Sequence, residues 1–283
     1  MLQFTFHSPL TLPAGVCTIP AMFSLDQASV KARLRTSLLG RPLIYHDWVE
    51  STQDIAREAA RAGAREGLAV VAGQQMAGKG RAGRSWWSPP AGGLYLSLLL
   101  RPNLPGELVP WTTMALALGA VEAIELVSGL VVDIKWPNDL QWQGRKLAGV
   151  LAEGAFIGDR LDYVVAGIGL NVAIDFSAQP DLAGIAVSLE TAAGRPVDAG
   201  ELLAALLERT EQHYLAMRVG HSPLPAWQAR LHTLGRPVTV RAADGRTLQG
   251  VAGAVLVDGG LRIDLDGGGS EVVRASDVTL REL

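Results

Sequence analysis

The chain has 283 residues and a formal net charge of −3; 48% of it is apolar and 19% charged. That composition supports one large domain plus a small one and excludes a disordered chain or a dedicated nucleic-acid binder. A lone cysteine, Cys17, excludes an internal disulfide and a four-cysteine zinc site.

No run of about 18 uninterrupted apolar residues occurs, so no membrane span is expected. The N-terminus lacks a basic region, and Pro9, Pro13 and Pro20 interrupt it, which opposes a signal peptide and points to the cytoplasm. Residues 1–40 read as an N-terminal extension with a short helix over Asp26–Leu39 and no recognition helix, so no DNA binding is expected. At Ser51-Thr52-Gln53-Asp54 a helix N-cap is predicted, followed by an apolar stripe through Ile55, Ala56, Ala59 and Ala60. Leu68–Gly73 and Gly93–Leu100 read as buried strands. Trp111–Val127 reads as a long helix, opened by Pro110 and stopped by Gly129. Further strands are predicted at Val131–Lys135, Leu147–Phe156 and Leu161–Val172, the last two joined at Gly158-Asp159. Helices over Leu202–Val219 and Leu224–Leu234 complete a domain spanning 41–234. Its pattern is α+β: a mixed, mainly antiparallel sheet with helices on one face. Over 235–283 short β-rich runs alternate with Asp244-Gly245, Asp258-Gly259-Gly260 and Asp266-Gly267-Gly268 turns, the pattern of a small antiparallel β-barrel.

Between Gly67 and Gly106 the chain has no acidic residue, where about four would be expected by chance. Inside that gap lies Gly78-Lys79-Gly80-Arg81-Ala82-Gly83-Arg84, then Trp86-Trp87. Three glycines and three cations suit an anionic ligand, because glycine admits oxygen atoms to the backbone N–H groups. A phosphate-binding P-loop is excluded, since Gly80 stands where the metal-binding hydroxyl is needed. A dinucleotide fingerprint is excluded as well: Ser88-Pro89-Pro90 opposes the required helix, and no acid occurs until Glu107. Two readings remain: a solvated basic loop, or a flexible basic lid in which Arg81 and Arg84 close on a phosphate and Trp86 offers a stacking face. Plain core packing is expected for Trp87.

A second group follows at Lys135-Trp136-Pro137-Asn138-Asp139 and Arg145-Lys146-Leu147-Ala148-Gly149. The Trp-Pro turn presents Asn138 and Asp139 at a strand end, where a carboxylate suits Mg²⁺ on a nucleotide. Lys146 opens the next strand, and Gly149 lets a ligand lie against the backbone.

In this order and spacing the motifs resemble those of the bacterial biotin–protein ligases, in the form without an N-terminal DNA-binding domain. The resemblance runs from about Arg41 to the C-terminus and includes Gly167-Ile168-Gly169-Leu170-Asn171. It implies a catalytic domain like that of the class II synthetases. It also implies a reaction: ATP-dependent activation of biotin to biotinyl-5′-AMP, then transfer to a lysine of a biotin carboxyl carrier protein. Biotin would be held by Ser51, Thr52, Gln53, Gln75, Lys79, Gly80, Arg81, Lys146 and Gly149. ATP and the adenylate would meet Arg84, Trp86, Asn138, Asp139 and Asn171, with Asp139 serving Mg²⁺. Lys146 and Arg81 would carry the catalytic charge. Two positions depart from the family pattern, Lys79 where arginine is usual and Gln53 where asparagine is usual. Lipoate and octanoate protein ligases share the core fold, but the polar set Ser51, Thr52, Gln53 and Gln75 suits a ureido ring better than a linear acyl chain. An exposed edge of the central sheet suits pairing into a homodimer.

Overall fold

The computed structural model describes residues 27–283 apart from Ala91, Ala178, Ala243, Asp244, Ser276, Asp277 and Leu283. The readings around Cys17 and Pro9, Pro13 and Pro20, and part of the Asp244-Gly245 turn, lie outside the described residues.

Seven strands form the central sheet: β1 (Leu43–His46), β2 (Ala69–Ala72), β3 (Gly93–Leu100), β4 (Asp133–Lys135), β5 (Asp139–Trp142), β6 (Arg145–Ile157) and β7 (Arg160–Asn171). Their spatial order is β1-β2-β3-β7-β6-β5-β4. Only β1 and β2 run parallel; the other neighbours are antiparallel. β1 and β4 are the terminal strands of this order, and the outer side of β4 is bridged from Ile134 to Leu231. Every residue of β3 is buried. A strand apolar on both faces must be covered on both.

This is why the expectation of helices on a single face fails. Val164, Ala166, Ile168 and Leu170 of β7 face the main core, which includes α3 (Pro110–Ser128) and α6 (Ala199–Arg218). The alternate residues Tyr163 and Val165 pack on the other side with Ala56 and Ala60 of α2 (Thr52–Arg61). α3 begins at Pro110 and ends on Gly129, whose φ of 76° lets its N–H reach the Glu125 carbonyl. It is long and apolar enough to cross a bilayer, but here it is the buried central helix. α6 starts before the predicted Leu202, because the Asp198 carboxylate accepts from the N–H groups of Gly200 and Glu201.

Two strands of the central sheet were not visible in the sequence. β1 is a four-residue strand directly after Pro42, and β5 begins at Asp139 itself. Asp139 is therefore the first residue of a strand and not part of the turn. The strand predicted over Val131–Lys135 is shortened to Asp133–Lys135, since the β5 ladder reaches only those three residues.

α1 (Gln27–Arg33) is likewise shorter than the predicted Asp26–Leu39. The N–H groups of Ser37, Leu38 and Leu39 all donate to the Glu211 carboxylate of α6 at 2.7 Å, so they are withdrawn from any continuing helix. Burial pushes the Glu211 carboxyl up, but these donors outweigh it and hold it below its ordinary 4.5. A carboxyl with a depressed folded-state value stabilises the fold fully above about 4.5, and that contribution is lost as pH falls through the folded value. Glu211→Gln is expected to cost at least about 2 kcal/mol at neutral pH, because buried donors lose a charged acceptor. Urea unfolding at pH 7 and again below pH 4.5 checks this: the variant's deficit should shrink in acid.

Residues 237–282 form a second, antiparallel sheet: β8 (Pro237–Ala242), β9 (Thr247–Val255), β10 (Leu261–Leu265), β11 (Ser270–Val273) and β12 (Val278–Glu282). The order is β11-β10-β9-β8-β12, and β12 had no signal in the sequence reading. Two indoles join this sheet to the first part of the chain. Trp111 Nε1 donates to the Val257 carbonyl at 2.8 Å, and Trp136 Nε1 to that of Gly259 at 3.0 Å. α4 (Pro180–Ala183), α5 (Leu189–Ala193) and α7 (Leu224–Ala229) are short connecting helices.

Candidate active site

The N-terminus of α2 supplies the first part of the site. Ser51, Thr52 and Gln53 are all buried there. Ser51 occupies the N-cap position, but its hydroxyl makes no capping bond and has no partner among the described residues. The cap comes instead from across the sheet. Gln75 Oε1 accepts from the Thr52 N–H at 2.9 Å and lies 3.1 Å from Thr52 Oγ1, while Gln75 Nε2 donates to Ser88 Oγ at 3.0 Å. Gln75 is thereby fixed at both ends of its amide. Thr52 Oγ1 also meets Ser97 Oγ at 2.8 Å. Gln53 Nε2 donates to the Leu151 carbonyl at 3.3 Å, and its Oε1 is buried with no partner among the described residues. Thr52, Gln53, Gln75, Ser97, Gly167 and Gly169 thus line a small polar pocket.

The basic loop folds as a hairpin over this pocket. Lys79 bridges to Ser85, the Gly80 N–H donates to the Arg84 carbonyl at 2.7 Å, and the Trp86 N–H to that of Gly78 at 2.8 Å. At its tip Ala82 (φ 53°) and Gly83 (φ 71°) are left-handed. Two of the three cations are anchored. Lys79 pairs with Asp54 in the first turn of α2, and Asp54 also pairs with Arg57 at 2.5 Å. Arg57 continues to Glu153 on β6 at 2.6 Å. Arg81 donates to Asn138 Oδ1 at 3.1 Å and to the carbonyl of Ala275 in the C-terminal part. Burial, then the neighbouring charge of Arg84, lowers the Arg81 pKa. Arg84 itself is exposed.

Beyond the hairpin opens a cavity of about 570 Å³, lined by Lys79, Gly80, Arg81, Arg84, Trp86, Asn138, Asp139, Lys146, Gly149 and Asn171. Lys146 pairs with Asp139 Oδ1 at 2.8 Å, and its Nζ stands 5.0 Å from the Trp86 ring centroid. Asn138 Nδ2 donates to the Val150 carbonyl at 2.5 Å. Asn171 Nδ2 lies 3.3 Å from the carbonyls of both Lys146 and Val187, so it braces the backbone that carries Lys146. The predicted set is therefore split between two adjoining spaces: a polar pocket with Thr52, Gln53 and Gln75, and a cationic cavity with the rest. Ser51 is buried beside the first, at the head of α2.

Trp87 departs from the core packing expected of it, while Trp86 lines the cavity as expected. Trp87 is 38% exposed and lines the cavity, with its ring 5.8 Å from that of Phe176. Trp86 is the more enclosed, lying over Gly149 and Gly169. Both indoles line the cavity, and the glycine floor accepts the first. Several lining residues had no motif to mark them, namely Ser97, Phe176, Leu182 and Ile185. Only Ser97 carried a signal, as the one hydroxyl in the buried β3 run Gly93–Leu100 other than the Tyr95 phenol.

Residues 45–171 match the biotin/lipoate A/B protein ligase family, a segment that takes in every site residue named above from the sequence motifs. The chain is 36% identical to the bifunctional ligase/repressor BirA of Bacillus subtilis, over 89% of its own length and 78% of that protein's. It is 31% identical to the biotin–[acetyl-CoA-carboxylase] ligase of Mycobacterium tuberculosis, over 80% and 83% of the two chains. The chain belongs to the biotin–protein ligase family. Among solved structures, the biotin protein ligase from Aquifex aeolicus in complex with biotin and ATP superimposes with a TM-score of 0.73 at 28% identity. That match covers 85% of this ligase and 99% of the other chain.

Proposed function

We propose that this ligase converts biotin and ATP to biotinyl-5′-AMP and pyrophosphate, then transfers biotin to one lysine of a biotin carboxyl carrier protein, such as an acetyl-CoA carboxylase subunit. One observation carries the reading beyond the family likeness. A polar pocket and a cationic cavity lie end to end over a glycine floor, which suits a ligand with a hydrogen-bonding ring at one end and a carboxylate at the other. The partnerless Gln53 Oε1 and Ser51 Oγ suit the donors and acceptor of a ureido group.

A carboxylate is a poor electrophile at neutral pH, so activation needs a leaving group, which AMP provides. A biotin carboxylate oxygen attacks the α-phosphorus, and the bond to the bridging oxygen breaks to release pyrophosphate. Lys146 and Arg81 stabilise the charge that develops on the phosphoryl oxygens. Asp139 is a lone carboxylate beside the cavity, and no group of three His, Cys, Asp or Glu occurs among the described residues. That donor set suits Mg²⁺, which is held by one or two carboxylates together with substrate phosphates and water. Bound there, Mg²⁺ would supply further charge on the triphosphate. The hairpin excludes water from the mixed anhydride until the acceptor arrives. The acceptor amine then attacks the acyl carbon, and AMP leaves. Positioning and charge suffice, with no covalent nucleophile from this chain. The supply of ATP and the nature of the acceptor both point to the cytoplasm.

A thermal-shift comparison of biotin with lipoate, each with ATP and Mg²⁺, separates this reading from lipoate ligation. Biotin is expected to raise the midpoint, and lipoate to leave it unmoved; the reverse ranking would overturn the assignment.

A further inference from the structure

The polar pocket and the cationic cavity are separated by one side chain. The Trp86 indole lies so close to the floor that a Cβ on Gly169 would stand 2.4 Å from its Nε1, and one on Gly149 would stand 2.9 Å from its Cζ3. Beneath it the polar pocket retains about 30 Å³. That volume holds about one water molecule and is far too small for a fused bicyclic ring. A ligand that sets its ring against Gln53 and Ser97 and its carboxylate at Lys146 must run through the space the indole fills. The indole N–H is itself anomalous, being buried with no acceptor among the described residues. Native structures rarely leave a buried donor unpaired, and such groups mark strain or a functional role.

We propose that Trp86 gates the biotin slot: in the ligand-free enzyme its indole occupies the place of the fused rings, and it must leave for biotin to enter. The inference rests on the biotin reading above. The base of the hairpin stays anchored through the Trp86 N–H on the Gly78 carbonyl and through the Lys79–Asp54 pair, so only the side chain has to swing. Its release also ends the contact with the Lys146 ammonium, which becomes available to the carboxylate. The apparent association rate for biotin then equals the intrinsic rate multiplied by the fraction of molecules with the gate open.

The test uses radiolabelled biotin, without nucleotide, mixed rapidly with the full-length wild type, Trp86→Phe and Trp86→Ala. The association rate constant is expected to rise at least about tenfold in Trp86→Ala, with Trp86→Phe between. A second measurement needs no folded variant beyond Trp86→Phe, which identifies the Trp86 indole N–H resonance by its disappearance. In the wild type that proton is expected to exchange slowly with D2O, and to shift and exchange faster on saturation with biotin alone. Equal association rates, or an indole signal unmoved by saturating biotin, would overturn the gate while leaving the ligase reading intact. Calorimetry showing no biotin binding to the wild type would overturn both.

Discussion

Lys146→Ala is expected to lower biotin-dependent pyrophosphate release by at least about two orders of magnitude, the usual cost of removing one preorganised charge at a transition state. Lys146 stands at the start of β6, its backbone held by the Asn171 amide and by a bridge to Ala186. Its ammonium rests on Asp139 at 2.8 Å, at the edge of the cavity, where the carboxylate and the α-phosphate are expected to meet. Asp139 keeps the lysine aligned before substrates bind, and it is the carboxylate that would hold Mg²⁺ on the nucleotide. The change should fall on the chemical step. Single-turnover adenylate formation should slow as much as steady-state turnover, whereas transfer from added biotinyl-5′-AMP should suffer less. Near-wild-type pyrophosphate release by Lys146→Ala would remove Lys146 from the mechanism.

Arg81→Ala is expected to act on retention of the intermediate. The Arg81 guanidinium ties the hairpin to Asn138, at the turn after β4, and to the Ala275 carbonyl in the C-terminal part. A hydrogen bond from a charged donor contributes about 1.5–3 kcal/mol. Losing one such tie corresponds to at least about a tenfold faster escape of biotinyl-5′-AMP. The freed anhydride acylates whatever amine it meets, so bystander lysines should be labelled where the wild type labels only the carrier. Mass spectrometry of a mixture of carrier and an unrelated lysine-rich protein reads this directly. An Arg81→Ala enzyme that still confines label to the carrier would show that the hairpin is held by other contacts, with the Lys79–Asp54 pair the first to examine.

Much of this arrangement was legible in the sequence because its signals are local. Pro110 and Gly129 bound a helix by backbone geometry, β3 declares itself by eight residues without a charge, and three glycines with three cations mark the hairpin. The partners of those residues were not legible, because partners are chosen by the fold. Gln75 was recognisable as part of a polar set, but its role as the cap of α2 depends on β2 lying beside that helix. Asp54 looked like a helix-start acid; in the fold it holds Lys79 and Arg57 together. Lysine at position 79 loses the bidentate fork of arginine. Its observed partner is a single carboxylate oxygen, a contact a point charge makes as well as a fork. The exposure of Trp87 was hidden for the same reason: the glycine floor, which only the fold assembles, decides which of two adjacent indoles is the more enclosed. The placement of α2 on the second face was implicit in the uncharged β3 and in the apolar run Tyr163–Leu170 of β7, but their length and composition do not say which helix covers them.

The central claim is that this chain activates biotin and hands it to a carrier lysine. Incubation with ATP, Mg²⁺, biotin and an isolated biotin carrier domain, read by intact mass, tests it most directly. The account predicts a single biotinyl addition on one carrier lysine, dependent on both ATP and biotin and matched by pyrophosphate release. An unmodified carrier with no biotin-dependent pyrophosphate would contradict it.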